Sequence, residues 1–302
     1  MISPPTLVPR LATPLAELLV RTLNGKSAVE RHHCAFYLGE AALKLVGAAA
    51  VASWCASDPA EDDPLRRRVS ALARPSLGQW LAWVRALAQR PEHPALQFAS
   101  LPSEAATAWV ETGLGHEVLD RSGLRRVRKD GLVGFFEQLV AYRNGVLGHG
   151  AQRVRSFYEG MTPVLLDAVL EQLHAVPWLL DGHLWLADPE EPWRQLLGLA
   201  ALPSDAPPVP DPASRDLHGI VLVHDDRVLP LAPLLHSATD ATLERDRVLF
   251  LNRGIVRGRT LRRVELLDYA TGETVDEPQL VPGLAQLLAM AGSEQDVARF
   301  KA

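Results

Sequence analysis

Proline places the strongest constraint on how this chain folds, because residues 202–214 contain five prolines. Proline lacks a backbone N–H and fixes φ, so this segment can continue neither a helix nor a central strand. Helix signals precede the segment, and β-branched, alternating segments follow it. We therefore predict a helical domain over 1–201, a proline-rich linker over 202–214 and a small β-rich domain with a C-terminal helix over 215–302.

The predicted helices of the first part begin with residues that satisfy the unbonded amides of a first helical turn. Ser27 precedes Glu30 by three positions, and Ser76 precedes Gln79 by three, which is the spacing of a capping box. Thr162 precedes a proline, which fits the first helical position. Together with apolar residues at helical spacing, such signals predict helices over about 13–24, 27–55, 76–87, 103–119, 132–146 and 162–176.

Beyond the linker the pattern changes to short β-branched segments. The predicted strands are Ile220–Val223, Val228–Leu235, Val248–Leu251 and Arg263–Tyr269, and a helix follows from Pro282 to about Ala291. The fold class we predict is mainly α: an N-terminal helical bundle followed by a small α+β domain.

Composition excludes several classes of protein. Hydrophobic residues make up 47% and charged residues 22% of the chain, which is the balance of a globular protein. We find no signal peptide and no apolar run of about 18 residues, and so expect a cytoplasmic protein without a membrane segment. Cys34 and Cys55 lie 21 positions apart on one predicted helix, too far to pair, so we expect reduced thiols.

Positive charge is concentrated in one window although the net charge is −5. Residues 121–155 hold eight basic and two acidic residues, a local charge of +6. A basic window in an acidic chain is a candidate contact for phosphates, although a solvated surface accounts for it equally well. The candidate RNA contacts in this window are Arg125, Arg126, Arg128, Lys129, Arg153 and Arg155.

Common catalytic motifs are absent from the sequence. It has no glycine-rich loop ending in Gly-Lys-Ser/Thr, no Gly-x-Ser-x-Gly elbow and no Cys-x-x-Cys pair. His32 and His33 have no partner at a metal-ligand spacing, and we predict that they form a polar rim of the long second helix. We therefore expect no metal and no cofactor.

One motif remains, at the end of an apolar helix inside the basic window. Arg143 and Asn144 are followed by His149, with five residues between the arginine and the histidine. Glu40 and Lys44 stand four residues apart on the earlier long helix. With these residues the chain, over about 15–180, resembles the HEPN superfamily, whose members carry an arginine, often an asparagine, and a histidine at this spacing.

The resemblance implies a helical domain that cuts RNA without a metal and leaves 2′,3′-cyclic phosphate ends, in an antiviral defence or toxin-like stress response. It assigns catalysis to Arg143 and His149, positioning to Asn144, and support of the site to Glu40 and Lys44. It also implies a homodimer in which two motifs line one cleft. On a continuous helix Arg143 and His149 would lie about 240° apart, so we expect Gly145 and Gly148 to end or kink the helix.

The residues of this motif also fit ordinary structural roles. Arg143 and His149 are typical helix-terminal caps, and Glu40 with Lys44 is a typical stabilising helix pair. The rival function is a non-catalytic HEPN-like adaptor or sensor that binds a protein or nucleotide ligand and relays to a partner protein or to a further domain beyond the C-terminus. The acidic total charge and the strand-rich appendage favour this alternative.

Overall fold

The structure is a computed structural model that describes residues 4–88, 131–148, 153–174, 176–180, 182–203, 217–224, 227–240, 245–257 and 262–290. These residues form a mixed α and β protein in which helix predominates, in agreement with the coarse prediction. Two compact units can be distinguished. The first takes in described residues of Met1–Leu43, Ser100–Gly182 and Leu197–Leu199, and the second those of Lys44–Ala99, His183–Leu196 and Ala200–Ala302.

The described helices follow the predicted order closely. The predicted helix at 103–119 lies outside the described residues, as does most of the linker. The helices are α1 (Pro4–Leu7), α2 (Thr13–Asn24), α3 (Ala28–Ala56), α4 (Arg66–Val69), α5 (Leu77–Ala88), α6 (Gly131–Tyr142), α7 (Arg155–His174) and α8 (Val281–Met290).

The capping box predicted at the start of α5 is confirmed, whereas at α3 the serine cap forms but the glutamate bonds the residue before Ser27. The N–H of Glu30 donates to Ser27 Oγ at 3.0 Å, and the Glu30 carboxylate accepts the N–H of Lys26 at 2.9 Å. At α5 the N–H of Ser76 donates to Gln79 Oε1 at 2.6 Å and the Gln79 N–H donates to Ser76 Oγ at 3.3 Å. These bonds satisfy amides that have no partner inside the helix.

Helices α3, α6 and α7 pack tightly in the first unit, at a point where α3 carries a glycine. A Cβ on Gly39 would lie 3.1 Å from Leu139 of α6 and 3.2 Å from Val169 of α7. Both contacts are tighter than ordinary van der Waals separations. The missing side chain therefore lets the three helices approach closely.

The start predicted for α7 at Thr162 is wrong. The helix begins at Arg155, and Pro163 lies inside it. Proline withholds the N–H that would bond the Glu159 carbonyl, but Glu159 is exposed to water, which can satisfy that group. The Thr162 hydroxyl donates to the Tyr158 carbonyl at 2.6 Å. A threonine before a proline thus stands within a helix here and does not mark its first turn.

The strands form two antiparallel sheets. A five-stranded sheet has the order β3-β2-β1-β4-β5, and a four-stranded sheet has the order β6-β7-β8-β9. The strands are β1 (Leu184–Ala187), β2 (Arg194–Leu197), β3 (Ala200–Pro203), β4 (Gly219–His224), β5 (Arg227–Pro230), β6 (Leu235–Asp240), β7 (Arg245–Arg257), β8 (Arg262–Asp268) and β9 (Thr274–Glu277).

Strands β1 and β2 lie within the segment predicted as helical, and β3 runs from that segment into the first two residues of the predicted linker, so the strand-rich part begins before the prolines. Strand β1 pairs with β4 through Leu184↔Leu222 and Ala187↔Gly219. All four residues of β1 are buried. A short buried apolar run fits a helix and a strand equally well, and only pairing with β4 distinguishes them.

Helix α3 is, by length and composition alone, apolar enough to cross a membrane. However, 94% of its most apolar window is buried within the protein. A buried core helix of a soluble protein can have the same length and composition. The helix is therefore only weak evidence for a membrane span.

A glycine allows β7 to approach the short 3₁₀ helix Ser70–Ala73 in the second unit. The β7–β8 register shifts between Leu251 and Gly254, and Gly254 has φ of +67°. A Cβ there would lie 2.2 Å from the Ala73 carbonyl oxygen. Both the backbone conformation and the close contact require glycine.

We expect Gly254→Ala to lower the free energy of unfolding more than Gly272→Ala does. Gly272 has φ of +78° and open space at its Cβ position, so its substitution carries only the left-handed backbone cost of roughly 1–2 kcal/mol. Gly254→Ala adds the displacement of the Ala73 carbonyl, about 1–3 kcal/mol more. Urea denaturation of both variants measures the difference, and equal losses would contradict the close contact.

Candidate functional site

Helix α6 ends in a widened turn that contains most of the predicted motif. Residues Arg143–Leu147 form a π-helical turn, and the Gly148 N–H donates to the Arg143 carbonyl at 2.6 Å. That bond spans five residues instead of four. The kink expected near Gly145 and Gly148 therefore takes the form of a π turn, a feature frequent at functional sites.

The two glycines of this turn differ in their surroundings. A Cβ on Gly148 would lie 3.0 Å from the Arg143 carbonyl oxygen and 3.4 Å from that of Asn144. A Cβ on Gly145 would meet nothing within 4 Å. A side chain at 148 would therefore press against the backbone of the π turn, whereas one at 145 would not.

Arg143 and Asn144 are both exposed on this turn. His149 lies outside the described residues, as do Arg125, Arg126, Arg128 and Lys129. The convergence of Arg143 with His149 stays a prediction.

A stripe of polar and aromatic side chains on α3 includes Tyr37, whose phenol lies within electrostatic reach of Arg143. His33, Tyr37 and Glu40 follow at four- and three-residue steps, which place them on one face of the helix. Burial raises the pKa of the Tyr37 phenol, Glu40 raises it further, and Arg143 lowers it. The charges of Glu40 and Arg143 thus both act on this phenol. We call His33, Tyr37 and Glu40 the α3 stripe.

Ring contacts connect the α3 stripe to the start of the π turn. The Tyr37 ring lies 6.3 Å from His33 and 5.9 Å from Phe36 between centroids. Phe36 in turn lies 6.4 Å from Tyr142, the residue before Arg143. Burial also lowers the pKa of His33, which favours its neutral form.

Lys44, one turn beyond Glu40, is placed differently from the predicted supporting role. Its side chain is buried, and its ammonium lies 5.0 Å from the centroid of the Tyr269 ring in the second unit. This is the geometry of a cation–π contact. Of the two residues at this Glu-x-x-x-Lys spacing, Glu40 is therefore partly exposed in the α3 stripe, whereas Lys44 is a buried packing residue.

The two described basic candidates, Arg153 and Arg155, already have contacts with α7 residues. Arg155 Nε lies 2.7 Å from Glu159 Oε1, so a neighbouring carboxylate compensates its charge. The Arg153 guanidinium lies 5.7 Å from the Phe157 ring centroid. An RNA phosphate at Arg155 would have to compete with Glu159.

His32, which bonds to the residue before the π turn, is where the prediction from the sequence was wrong. It was predicted on a polar rim, but its side chain is 0% exposed. His32 precedes Phe36 by one helical turn, on the same buried stripe as Leu43, and this spacing was the signal that could have found it.

Two hydrogen bonds hold the buried imidazole and define its tautomer. The Thr162 hydroxyl uses its single hydrogen on the Tyr158 carbonyl, so it accepts from His32 Nδ1–H at 3.3 Å. His32 Nε2 is then an acceptor, and the Tyr142 hydroxyl donates to it at 2.6 Å. Burial, together with the nearby His33, lowers the pKa of His32 to about 4. A neutral histidine thus links α3, α6 and α7.

The second unit carries an apolar cleft of about 480 Å³. Its described lining includes Val51 and Cys55 of α3, Leu229 of β5, and Leu287 and Met290 of α8, and it contains no charged side chain. Burial raises the pKa of the Cys55 thiol to about 12, so the thiol stays protonated. The volume is in the range of small-molecule sites.

Metal binding and similarity to known proteins give no further assignment. Among the residues that the structure describes, no three His, Cys, Asp or Glu side chains cluster in a way that could hold a metal ion. Comparison with protein-family models, curated proteins and solved structures found no match to this chain.

We expect acid to weaken the protein through His32. Between the unfolded pKa of about 6.5 and the folded value of about 4, the unfolded chain binds a proton that the folded protein does not. Stability from this residue is therefore full above about pH 6.5 and falls on acidification, by about 2 kcal/mol at pH 5. Urea denaturation of the parent and of His32→Gln at pH 5 and above pH 6.5 measures this loss of stability. If the free energy of unfolding of both proteins changes equally with pH, the assignment to His32 is wrong.

Proposed function

We propose that this protein is a HEPN-like, metal-independent endoribonuclease with its site on the π turn of α6. The observation that carries the proposal is the exposure of Arg143 and Asn144 on that turn, immediately before the segment with His149. An exposed guanidinium beside an amide can bind a phosphate, and a histidine can move a proton near neutral pH.

The proposed reaction needs only groups of the chain and of the substrate. The 2′-hydroxyl of the RNA gives its proton to His149 and attacks the adjacent phosphorus, and His149 then gives the proton to the departing 5′-oxygen. Arg143 stabilises the negative charge that builds on the five-coordinate phosphate, and Asn144 positions the phosphate or the imidazole. The bond from phosphorus to the 5′-oxygen breaks, which gives a 2′,3′-cyclic phosphate and a 5′-hydroxyl.

The surroundings of the turn support a binding site for RNA. The phenol of Tyr37, in the α3 stripe, lies within electrostatic reach of Arg143. Lys44 is left out of the proposed site because its ammonium lies on Tyr269. The basic residues between 121 and 155 are proposed RNA contacts, with Arg155 the weakest candidate because of Glu159.

Three further features are proposed from the resemblance alone. They are a cytoplasmic location, a role in antiviral defence or a toxin-like stress response, and a homodimer. In such a dimer the motifs of both copies line one cleft, and RNA between them offsets the repulsion of the two basic windows.

The first test is cleavage of single-stranded or transfer RNA in EDTA. We expect the parent to cut and to leave 2′,3′-cyclic phosphate ends. His149→Ala and Arg143→Ala each lower the rate by about 10²–10⁴-fold, because proton transfer or charge stabilisation is lost. Melting temperatures provide the control and stay within a few degrees of the parent.

Two outcomes contradict this proposal. One is cleavage that EDTA abolishes and magnesium restores. The other is a His149→Ala variant that cuts RNA as fast as the parent, which would place the site elsewhere.

The second test uses the two glycines of the π turn as a matched pair. Gly148→Ala presses a methyl group against the Arg143 and Asn144 carbonyls, so we expect a shift of the turn and a loss of about 10- to 100-fold in kcat/KM. Gly145→Ala adds its methyl group to open space and keeps the activity. Equal activities of the two variants would show that the π turn does not position the site.

The second candidate function is a non-catalytic HEPN-like adaptor or sensor, and the apolar cleft of the second unit favours it. Because its described lining is uncharged, the cleft suits a neutral apolar ligand or protein side chain better than a nucleotide. This candidate expects no RNA cleavage by the parent under any metal condition. Binding of a neutral solvatochromic dye, lost on filling the cleft by Gly283→Trp, would support it.

A further inference from the structure

Tyr37 is unusual among the exposed side chains of the described residues. Four large hydrophobic side chains are exposed there, namely those of Leu23, Tyr37, Val154 and Leu199, and Tyr37 is the one aromatic among them. The residue is 39% exposed. The Tyr37 ring lies on the same helix face as Glu40, and the charge of Arg143 acts on its phenol. Such an exposed ring calls for a functional explanation.

The Tyr37 ring is supported by its neighbours. His33 and Phe36 contact it at 6.3 and 5.9 Å between centroids, with tilts of 57° and 63°. Phe36 is buried and also contacts Tyr142, which directly precedes the π turn. These contacts connect the ring to Tyr142, the residue before Arg143.

We propose that Tyr37 is a stacking platform for one unpaired base of a single-stranded RNA, whose neighbouring phosphate is held at Arg143. The inference rests on the proposed function for the identity of the site, and it adds the class of substrate. Aromatic side chains bind single strands in this way because every base has a π face. Bases inside a duplex are already stacked on each other and do not reach such a platform.

The charges beside Tyr37 favour this orientation of the strand. Arg143 attracts phosphate, whereas the Glu40 carboxylate repels it, and both charges act on the Tyr37 phenol. The backbone is therefore drawn toward the π turn, and the uncharged base is the part of the nucleotide that can lie on the ring.

The test measures binding apart from cleavage. The probe is a fluorescent single-stranded RNA with 2′-O-methyl sugars, which lacks the attacking hydroxyl and so stays intact, and a duplex of the same sequence serves as the comparison. Binding is measured by anisotropy for the parent, Tyr37→Phe and Tyr37→Leu. The control is Leu23→Ala, which removes a similarly exposed apolar side chain from α2.

We expect Tyr37→Phe and Leu23→Ala to bind the single strand within about twofold of the parent. Tyr37→Leu keeps the bulk but loses the ring face, and we expect it to bind the single strand about 5- to 150-fold more weakly. Duplex binding is weak and equal in all four proteins. Cleavage of unmodified RNA by Tyr37→Leu shows a raised KM and a nearly unchanged kcat, because His149 and Arg143 remain.

Several outcomes overturn the platform. It is wrong if Tyr37→Leu binds the single strand as well as the parent, or if the parent itself does not bind it. It is also wrong if light scattering shows that Tyr37→Leu dissociates a dimer, because Tyr37 is then a subunit contact. If the parent binds the strand through Tyr37 but cuts no RNA, the nuclease proposal fails and the platform stands.

Discussion

The hydrogen bond between the Tyr142 hydroxyl and His32 Nε2 is the interaction on which the arrangement of the first unit depends. It joins the last α-helical residue of α6 to the buried face of α3, and Thr162 of α7 holds the other side of the imidazole. A buried polar group without a partner costs about 1–3 kcal/mol, so each of these helices is held in the one position that satisfies His32. Because Tyr142 precedes Arg143, the π turn takes its position from this contact.

The sequence predicted those parts of the fold that local chemistry determines. Ser27 with Glu30 and Ser76 with Gln79 defined helix starts because each pair completes its hydrogen bonds within one turn. Strand β1 was missed because its identity depends on pairing with β4, about 35 residues later in the chain. The start of α7 was misplaced because Thr162 bonds backward to Tyr158, inside a helix that begins earlier.

In the candidate site, too, local features could be predicted and contacts between distant residues could not. The need for a helix irregularity near Gly148 followed from the convergence of Arg143 and His149 that the HEPN resemblance implies, taken together with helical geometry. Neither could distinguish a helix end from a π turn. The interaction of Tyr37 with Arg143 was not predicted, because Tyr37 belongs to a helix about 100 residues earlier and no local pattern links the two. For Lys44 the sequence predicted the position on the helix, one turn from Glu40. It could not predict the contact with Tyr269, because that contact depends on tertiary structure.

Burial of His32 carries a desolvation cost that an apolar residue would not. Its hydrogen bonds show what an apolar residue would do less well, which is to fix the positions of the helices. A leucine at position 32 would avoid the desolvation cost of the imidazole but would leave the buried Tyr142 hydroxyl without its acceptor. Only replacement of both partners by apolar groups is often neutral for stability. Apolar contacts, however, tolerate small shifts of one helix along another, whereas two directional hydrogen bonds do not. Tyr142, bonded to His32, also contacts Phe36, and Phe36 supports Tyr37. The same imidazole therefore fixes both the turn that carries Arg143 and the exposed ring of the α3 stripe, so the acid sensitivity of the fold and the geometry of the site have one physical origin.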